Sequence, residues 1–160
     1  MTISNSPRKP KQVLFLCTGN YYRSRYAEIL FNWHAQEDDL PWRAFSRGLA
    51  LDDRNPGPIS RHTQAAMEKL GIAIGEYLRP PQAVREEDFQ KADVVVAVKE
   101  AEHRSLMESN FPSWLASVEF WHVDDLDCCG PEQALPELDR EVKALLARLA
   151  AVGKGSSALS

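Results

Sequence analysis

Short apolar runs alternate with helical patterns along this chain, and the alternation predicts its fold class. Four runs have the length and composition of strands, at 12–17, 42–46, 93–98 and 118–123. The first and third contain continuous apolar stretches, as expected of strands that are buried on both faces. Apolar residues recur at helical spacing over 24–36, 60–70, 100–109 and 131–151. We therefore predict an α/β fold, with a four-stranded parallel sheet and helices on both of its faces.

The length and the composition of the chain fit one folded domain. The 160 residues are 44% hydrophobic and 26% charged, which is ordinary for a globular protein that buries its own core. Residues 11–152 carry the predicted elements and form the predicted domain. Residues 1–10 and 153–160 lack apolar periodicity, so we expect flexible tails at both ends.

Charge and cysteine usage exclude several classes of function. The net charge of −4 argues against a nucleic-acid-binding protein, although the first 27 residues hold five basic and no acidic residues. Three cysteines, of which Cys128 and Cys129 are adjacent, do not make a secreted disulfide framework. The apolar runs are far shorter than the roughly 20 residues of a membrane-spanning helix, and residues 1–11 lack an apolar signal-peptide core. We expect a cytoplasmic protein without nucleic-acid or membrane partners.

The segment after the first strand has the chemistry of a phosphate-binding loop. It runs from Cys17 to Ser24 as Cys-x5-Arg-Ser, between a buried strand and the start of a helix. Such a loop can direct successive backbone N–H groups inward, and the helix N-terminus adds further donors. Gly19 and Asn20 tolerate a left-handed backbone, and Arg23 can bind two oxygens of a phosphate. The predicted substrate-binding residues are Thr18, Gly19, Asn20, Tyr21, Tyr22, Arg23 and Ser24.

Cys17 lies at the base of this predicted loop, where the positive field favours a nucleophilic thiolate. Cys17 and Arg23 are therefore the predicted catalytic pair. The alternative is that Cys17 is an ordinary buried thiol, but that interpretation leaves Gly19, Asn20 and Arg23 without a role.

These residues resemble the low-molecular-weight protein tyrosine phosphatases, a family whose fold is shared by thioredoxin-coupled arsenate reductases. The resemblance is carried by Val-Leu-Phe-Leu-Cys-Thr-Gly-Asn at 13–20, by Arg23-Ser24 and by Ala27-Glu28, and it extends more weakly over 11–150. It implies a phosphomonoesterase without metal or other cofactor, acting on phosphotyrosine in proteins or on small aryl phosphates. It also implies that Cys17 forms a cysteinyl-phosphate, that Ser24 donates to its sulfur, and that Asn20 and Ser46 support the loop through a side-chain hydrogen bond.

The resemblance further implies a general acid just after the fourth strand, usually in an Asp-Pro pair. Here that strand runs into Asp124-Asp125-Leu126-Asp127, and Asp125 falls at the expected position. Repulsion among three carboxylates within four residues favours the protonated form of one of them, which suits a proton donor. Asp125 is the predicted acid, with Asp124 and Asp127 as alternatives.

The chain departs from the family pattern around the mouth of the predicted pocket. Tyr22 stands where many members carry a second cysteine, so Cys17 cannot form a disulfide within the loop. Arg25 replaces the usual proline after the serine, and Lys99 replaces an aspartate at the end of the third strand. Tyr21 is a candidate aromatic wall for the pocket, with an ordinary surface tyrosine as the alternative.

Two other functions stay open on this sequence. An arsenate reductase needs two further cysteines to relay a disulfide, and none occurs between residues 18 and 127. A phosphate-binding module with weak catalysis would keep the loop but lack a working acid, which the altered Asp-Leu pair at 125–126 allows. Cys128 and Cys129 near His122 lack the spacing of a zinc site, so we predict no metal centre.

Overall fold

The structure, a computed structural model, describes residues 10–124 and 131–159. Its strands are β1 (Lys11–Cys17), β2 (Trp42–Gly48), β3 (Val94–Ala97) and β4 (Val118–Phe120). Its α-helices are α1 (Arg23–Glu37), α2 (Arg61–Leu70), α3 (Glu86–Lys91), α4 (Glu100–Asn110) and α5 (Pro131–Leu159). Two short 3-10 segments lie at Gly75–Tyr77 and Pro112–Ser117. None of the helices in these two ranges has both the length and the apolar character that crossing a membrane requires.

The four strands form one parallel sheet in the order β2-β1-β3-β4, which confirms the predicted fold class. Strand β1 lies in the middle and is buried from Val13 to Cys17. Its side chains alternate between two layers, because successive residues of a strand point to opposite faces. Val13 and Phe15 pack in one core with residues of α1 and α5. Leu14 and Leu16 pack in a second core with Phe89 of α3 and Met107 of α4, so helices cover both faces.

Most observed elements differ from the predicted ones only at their ends. Strand β4 stops at Phe120 instead of residue 123, although the N–H groups of Trp121 and Val123 still donate to Ala97 O and Val98 O at 2.8 Å. Helix α5 continues beyond its predicted end at residue 151. Helix α3 and the two 3-10 segments are too short to show a period in the sequence. The division into one domain and two flexible tails stays a prediction.

The carboxyl ends of the parallel strands meet along one edge of the sheet, which is where such folds bind ligands. The loop after β1 lies at this edge and is held by the segment after β2. Leu49 N–H donates to Cys17 O and Ala50 N–H donates to Thr18 O, both at 2.9 Å. A Cβ at Gly48 would lie 2.8 Å from Thr18 O, so a side chain there would push the loop away.

Candidate active site

The backbone of the loop at 17–24 turns amide groups toward its interior. Its first two carbonyls are held from outside by the amides of residues 49 and 50. Tyr21 O accepts from Ser60 N–H at 2.9 Å, and Tyr22 O accepts from Tyr26 N–H at 3.0 Å. Within a trans peptide the C=O and the following N–H point in opposite directions, so the amides that follow these carbonyls point inward. Helix α1 begins at Arg23 and adds the free N–H groups of its first turn.

Asn20 fixes the middle of the loop from below. Its backbone is left-handed, with φ of 49°, and its side chain is fully buried. Its Oδ1 accepts from Gln82 N–H and from Arg79 Nη1, both at 3.0 Å. Its Nδ2 donates to Ser24 Oγ at 3.0 Å and to Ser46 Oγ at 2.9 Å, which is the contact expected for loop support. A backbone N–H can only donate, so the bond from Gln82 fixes which end of the amide is oxygen.

Cys17 lies at the base of the loop and is buried. Its Sγ is 2.9 Å from Ser24 Oγ. Because Ser24 Oγ accepts a hydrogen bond from Asn20, its own hydrogen is left to point at the sulfur. A thiolate can only accept, so this arrangement suits an ionised Cys17.

The hydrogen bonds continue from the loop to a buried carboxylate on α1. Ser46 Oγ donates to Glu28 Oε1 at 2.5 Å, and the same oxygen lies 3.7 Å from Arg79 Nη2 and 3.6 Å from Arg25 Nη1. The side chain of Asn20 is therefore linked to Glu28 through Ser46 and through Arg79. We refer to Asn20, Ser24, Glu28, Ser46 and Arg79 as the support network.

Positive charge exceeds negative charge in and beside the support network. Burial raises the pKa of Glu28, and the hydrogen bond from Ser46 and the charges of Arg25 and Arg79 oppose that rise. Burial lowers the pKa of Arg79 to about 10, and the nearby Arg25 adds to the effect. Arg25 is fully buried, and burial lowers its pKa as well. Two guanidinium groups around one carboxylate favour an anion in the loop above them.

Arg25 is also the least satisfied side chain of this region. Its Nη2 donates to Tyr77 O. Within residues 10–124 and 131–159, its Nε and Nη1 have no hydrogen-bond acceptor. Glu28 lies 3.6 Å from Nη1, so the buried cation has a nearby anion but no full set of hydrogen bonds, and it can attract a second anion.

Arg23 meets a second set of residues on the opposite side of the loop. Its side chain is 2% exposed, with Nη1 donating to Val123 O at 3.0 Å and Nη2 donating to Glu102 Oε2 at 2.8 Å. Thr18 Oγ1 donates to the same Glu102 oxygen, and His103 Nε2 lies 3.1 Å from both Glu102 Oε2 and Thr18 Oγ1. We refer to Thr18, Glu102 and His103 as the α4 cluster.

The two loop tyrosines differ in their surroundings. Tyr21 is half-buried at the mouth, and its Oη donates to Pro56 O at 2.5 Å. Tyr22 is buried, with its ring centroid 6.3 Å from that of His62 on α2. Only Tyr21 is therefore accessible enough to line the entrance with an aromatic ring.

The residues predicted to supply the general acid fall only partly within the described structure. Asp124 lies at the carboxyl edge of the sheet and accepts from Lys99 Nζ. Asp125, Asp127, Cys128 and Cys129 lie outside the described residues. Within the described ranges, no three His, Cys, Asp or Glu side chains come together as a metal ion would require.

Sequence reasoning assigned no role to Glu28, Arg79, Glu102 or His103. Glu28 carried a signal, because it follows Ser24 by four residues and so lies on the same face of α1. Arg79 lies in the segment Leu-Arg-Pro-Pro at 78–81, which has no helical or strand periodicity. Its position under the loop therefore depends on the tertiary fold. Glu102 looks like any other charge at the start of a helix until α4 is packed beside the loop.

Known proteins resemble this chain over most of its length. The family model for low molecular weight phosphotyrosine protein phosphatase matches residues 12–154. The arsenate reductase of Halalkalibacterium halodurans is 34% identical over 88 residues, which are 55% of this chain and 56% of that protein. The protein-arginine-phosphatase of Bacillus subtilis is 30% identical over 99 residues, which are 62% of either chain. The chain thus spans between 56 and 62% of the length of these two relatives.

A solved structure shares the fold. The low molecular weight protein tyrosine phosphatase from T. tengcongensis superposes with a TM-score of 0.72 and is 26% identical. The superposition covers 86% of this chain and 99% of that one. The overall fold of this chain is therefore that of a solved low molecular weight protein tyrosine phosphatase.

Proposed function

Because the chain belongs to the low molecular weight phosphotyrosine protein phosphatase family, we propose that it hydrolyses phosphate monoesters with Cys17 as the nucleophile and phosphotyrosine in proteins as the substrate. The observation that carries this proposal is the 2.9 Å contact between Cys17 Sγ and Ser24 Oγ, at the base of a loop with inward-facing amides. A cysteine buried only for packing would need no such donor.

The reaction that this site supports has two steps. In the first, the Cys17 thiolate attacks phosphorus in line; the S–P bond forms while the bond to the leaving oxygen breaks, and a carboxylic acid protonates that oxygen. Arg23 and the loop amides hold the three equatorial oxygens through the transition state. In the second, water attacks the cysteinyl-phosphate and gives its proton to the same carboxylate. The S–P bond breaks, and Ser24 donates to the departing sulfur.

Asp125 is the residue that we propose as the general acid. Its neighbour Asp124 already accepts from Lys99 Nζ, so that carboxylate is engaged by another side chain. Asp125→Asn should slow phenyl and alkyl phosphates by about 10²–10⁴-fold and a nitrophenyl phosphate distinctly less. Asp124→Asn is the matched control, with a small loss that does not depend on the leaving group. A plot of log rate against leaving-group pKa separates the two variants, and a steep line for Asp124→Asn alone would move the acid to Asp124.

Tyr21 supports an aromatic substrate. Its ring is held at the pocket mouth by the bond to Pro56 O, where it can pack against the ring of phosphotyrosine. The relative from Bacillus subtilis is a phosphatase for protein arginine, so peptides with phosphotyrosine, phosphoserine and phosphoarginine should be compared directly. We expect the highest kcat/KM for phosphotyrosine, and a preference for phosphoarginine would overturn this choice of substrate.

The decisive experiment compares cysteine variants. Cys17→Ser should lose essentially all turnover of aryl phosphate but still bind inorganic phosphate, because the loop amides and Arg23 remain. Cys128→Ser is the control, since it removes a thiol from another part of the chain, and it should keep wild-type rates. Retained turnover in Cys17→Ser would contradict a mechanism with Cys17 as the nucleophile. Arsenate reduction coupled to thioredoxin, without aryl phosphate hydrolysis, would favour the reductase instead.

A further inference from the structure

A carboxylate on α4 lies against the guanidinium that binds phosphate. Glu102 Oε2 receives Arg23 Nη2 at 2.8 Å and the hydroxyl of Thr18, and it lies 3.1 Å from His103 Nε2. The donors on this oxygen are therefore side chains around the loop. Glu102 is 31% exposed, while Arg23 and His103 are almost fully buried. The carboxylate stands between the interior and the solvent at the mouth of the loop.

The tautomer of His103 follows from its neighbours. Lys99 N–H donates to His103 Nδ1 at 3.1 Å, so Nδ1 is an acceptor and carries no hydrogen. The ring hydrogen is then on Nε2, which lies 3.1 Å from both Thr18 Oγ1 and Glu102 Oε2. His103 Nε2 is thus a hydrogen-bond donor within the α4 cluster. The hydroxyl of Thr18 is then free to donate its hydrogen bond to Glu102 Oε2.

These contacts keep Glu102 ionised. Burial raises its pKa, but hydrogen bonds from His103, Arg23 and Thr18, together with the charge of Arg23, outweigh burial and hold the pKa well below its usual range. A permanent anion next to Arg23 has two consequences. It holds one edge of the guanidinium, while Val123 O holds Nη1 at 3.0 Å, so two nitrogens of a planar group are fixed. It also offsets part of the positive charge that a bound phosphate would feel.

We propose that Glu102 is a positioning residue of this site: it orients Arg23 for contact with two phosphate oxygens and weakens the hold of the site on free phosphate, so that product leaves. The proposal extends the phosphatase function proposed above and depends on it for its kinetic part. Two measurements distinguish this role from mere support of the fold. Loss of the orienting contact should lower kcat, whereas loss of the negative charge should raise the affinity for free phosphate.

The test uses one nearly isosteric variant, one shortened variant and one matched control. Glu102→Gln removes the charge and weakens the bond to Arg23, and Glu102→Asp keeps the charge but shortens the reach. Glu100→Gln removes the same charge from the same helical turn. Glu100 Oε2 accepts a hydrogen bond from Arg104 Nε at 2.8 Å, a contact that involves no residue of the loop. For each protein we would measure kcat with an aryl phosphate, the dissociation constant of inorganic phosphate by calorimetry, and thermal unfolding.

Glu102→Gln should lower kcat by about 10- to 100-fold, since a misplaced arginine contact costs about that much. It should also bind phosphate at least about threefold more tightly, because a negative charge near the dianion is gone. Glu102→Asp should lower kcat at least about threefold with phosphate affinity within about twofold of wild type. Glu100→Gln should change neither quantity.

Several results would overturn the proposal. Unchanged kcat and phosphate affinity in Glu102→Gln would show that Arg23 needs no such partner. Parallel losses of both would make Glu102 a structural support, and a higher kcat would make it an obstruction. If Glu102→Gln does not fold, wild-type kcat in Glu102→Asp overturns the proposal. If the wild-type protein hydrolyses no aryl phosphate, the phosphatase function fails instead, and tighter phosphate binding in Glu102→Gln than in Glu100→Gln still tests the charge of Glu102.

Discussion

A glutamate is paired with arginine on each side of the loop, in opposite surroundings: Glu28 of the support network lies near Arg25 and Arg79, and Glu102 of the α4 cluster contacts Arg23. The side chain of Glu28 is 9% exposed, and burial raises its pKa in spite of Arg25, Arg79 and Ser46. Glu102 is 31% exposed, and its converging hydrogen bonds lower its pKa in spite of burial. The same residue type is thus disfavoured as an anion below the loop, where its pKa is raised, and favoured as an anion beside it, where its pKa is lowered.

This difference indicates a division of labour around the loop. Below it, each polar atom of Asn20 and the hydroxyl of Ser46 are committed to partners, so that side resists change. Beside it, Glu102 contacts Arg23 within reach of solvent, and Lys99 and Asp124 pair at the partly exposed edge. A rigid base and a solvent-facing side are what a loop needs if it must keep its shape while a charged ligand enters and leaves.

The largest expected effect comes from breaking the buried pair. Glu28→Ala removes both carboxyl oxygens, which leaves Ser46 Oγ and two buried guanidinium groups without their acceptor, and should destabilise the protein by about 3–5 kcal/mol. Asp124→Asn is the control, because it breaks the more exposed pair with Lys99 and should cost about 0–1 kcal/mol. Urea denaturation at pH 7 measures both free energies of unfolding. Equal losses in the two variants would contradict the contrast between the two sides of the loop.

The next effect separates side-chain bonds from backbone strain at Asn20. Asn20→Gly keeps the left-handed backbone but removes four hydrogen bonds, which should cost about 2–3 kcal/mol. Asn20→Ala removes the same bonds and adds about 1–2 kcal/mol for a left-handed residue with a Cβ. The same denaturation experiment measures the difference. If alanine is no worse than glycine, the loop relaxes out of this conformation, and the base is less rigid than proposed.

The smallest expected effect is a difference in the sign of pH dependence. The pKa of Glu28 is raised in the folded protein, so its contribution to stability is complete below the unfolded value of 4.5 and declines as the pH rises through the folded value. The pKa of Glu102 is lowered, so its contribution is complete above 4.5 and declines as the pH falls through the folded value. Unfolding free energies of wild type, Glu28→Gln and Glu102→Gln between pH 3 and 7 show both trends. Slopes of the same sign would refute the opposite environments.

The sequence by itself determined the parallel sheet and the place of the loop. A continuous apolar run, a glycine-containing turn and a helix start are local features, and local features are written in adjacent residues. Cys17, Asn20, Arg23 and Ser24 lie within eight positions, so their spacing alone predicts a phosphate site. Ser46 was predicted only through the family resemblance, and the structure joins it to Asn20 across 26 positions of sequence.

Only the tertiary structure decided what surrounds the loop. Glu102 lies 84 residues from Thr18 in sequence, and Gln82 lies 62 residues from Asn20. No local period encodes such meetings, because they depend on which helix packs beside the carboxyl edge of the sheet and on which turn of that helix faces inward. The same holds for Arg25, which the sequence presents as one more charge at the mouth and the fold buries completely. The charge and spacing of residues are visible in the sequence. Which residues are buried, and which distant residues contact each other, is fixed only when the chain folds.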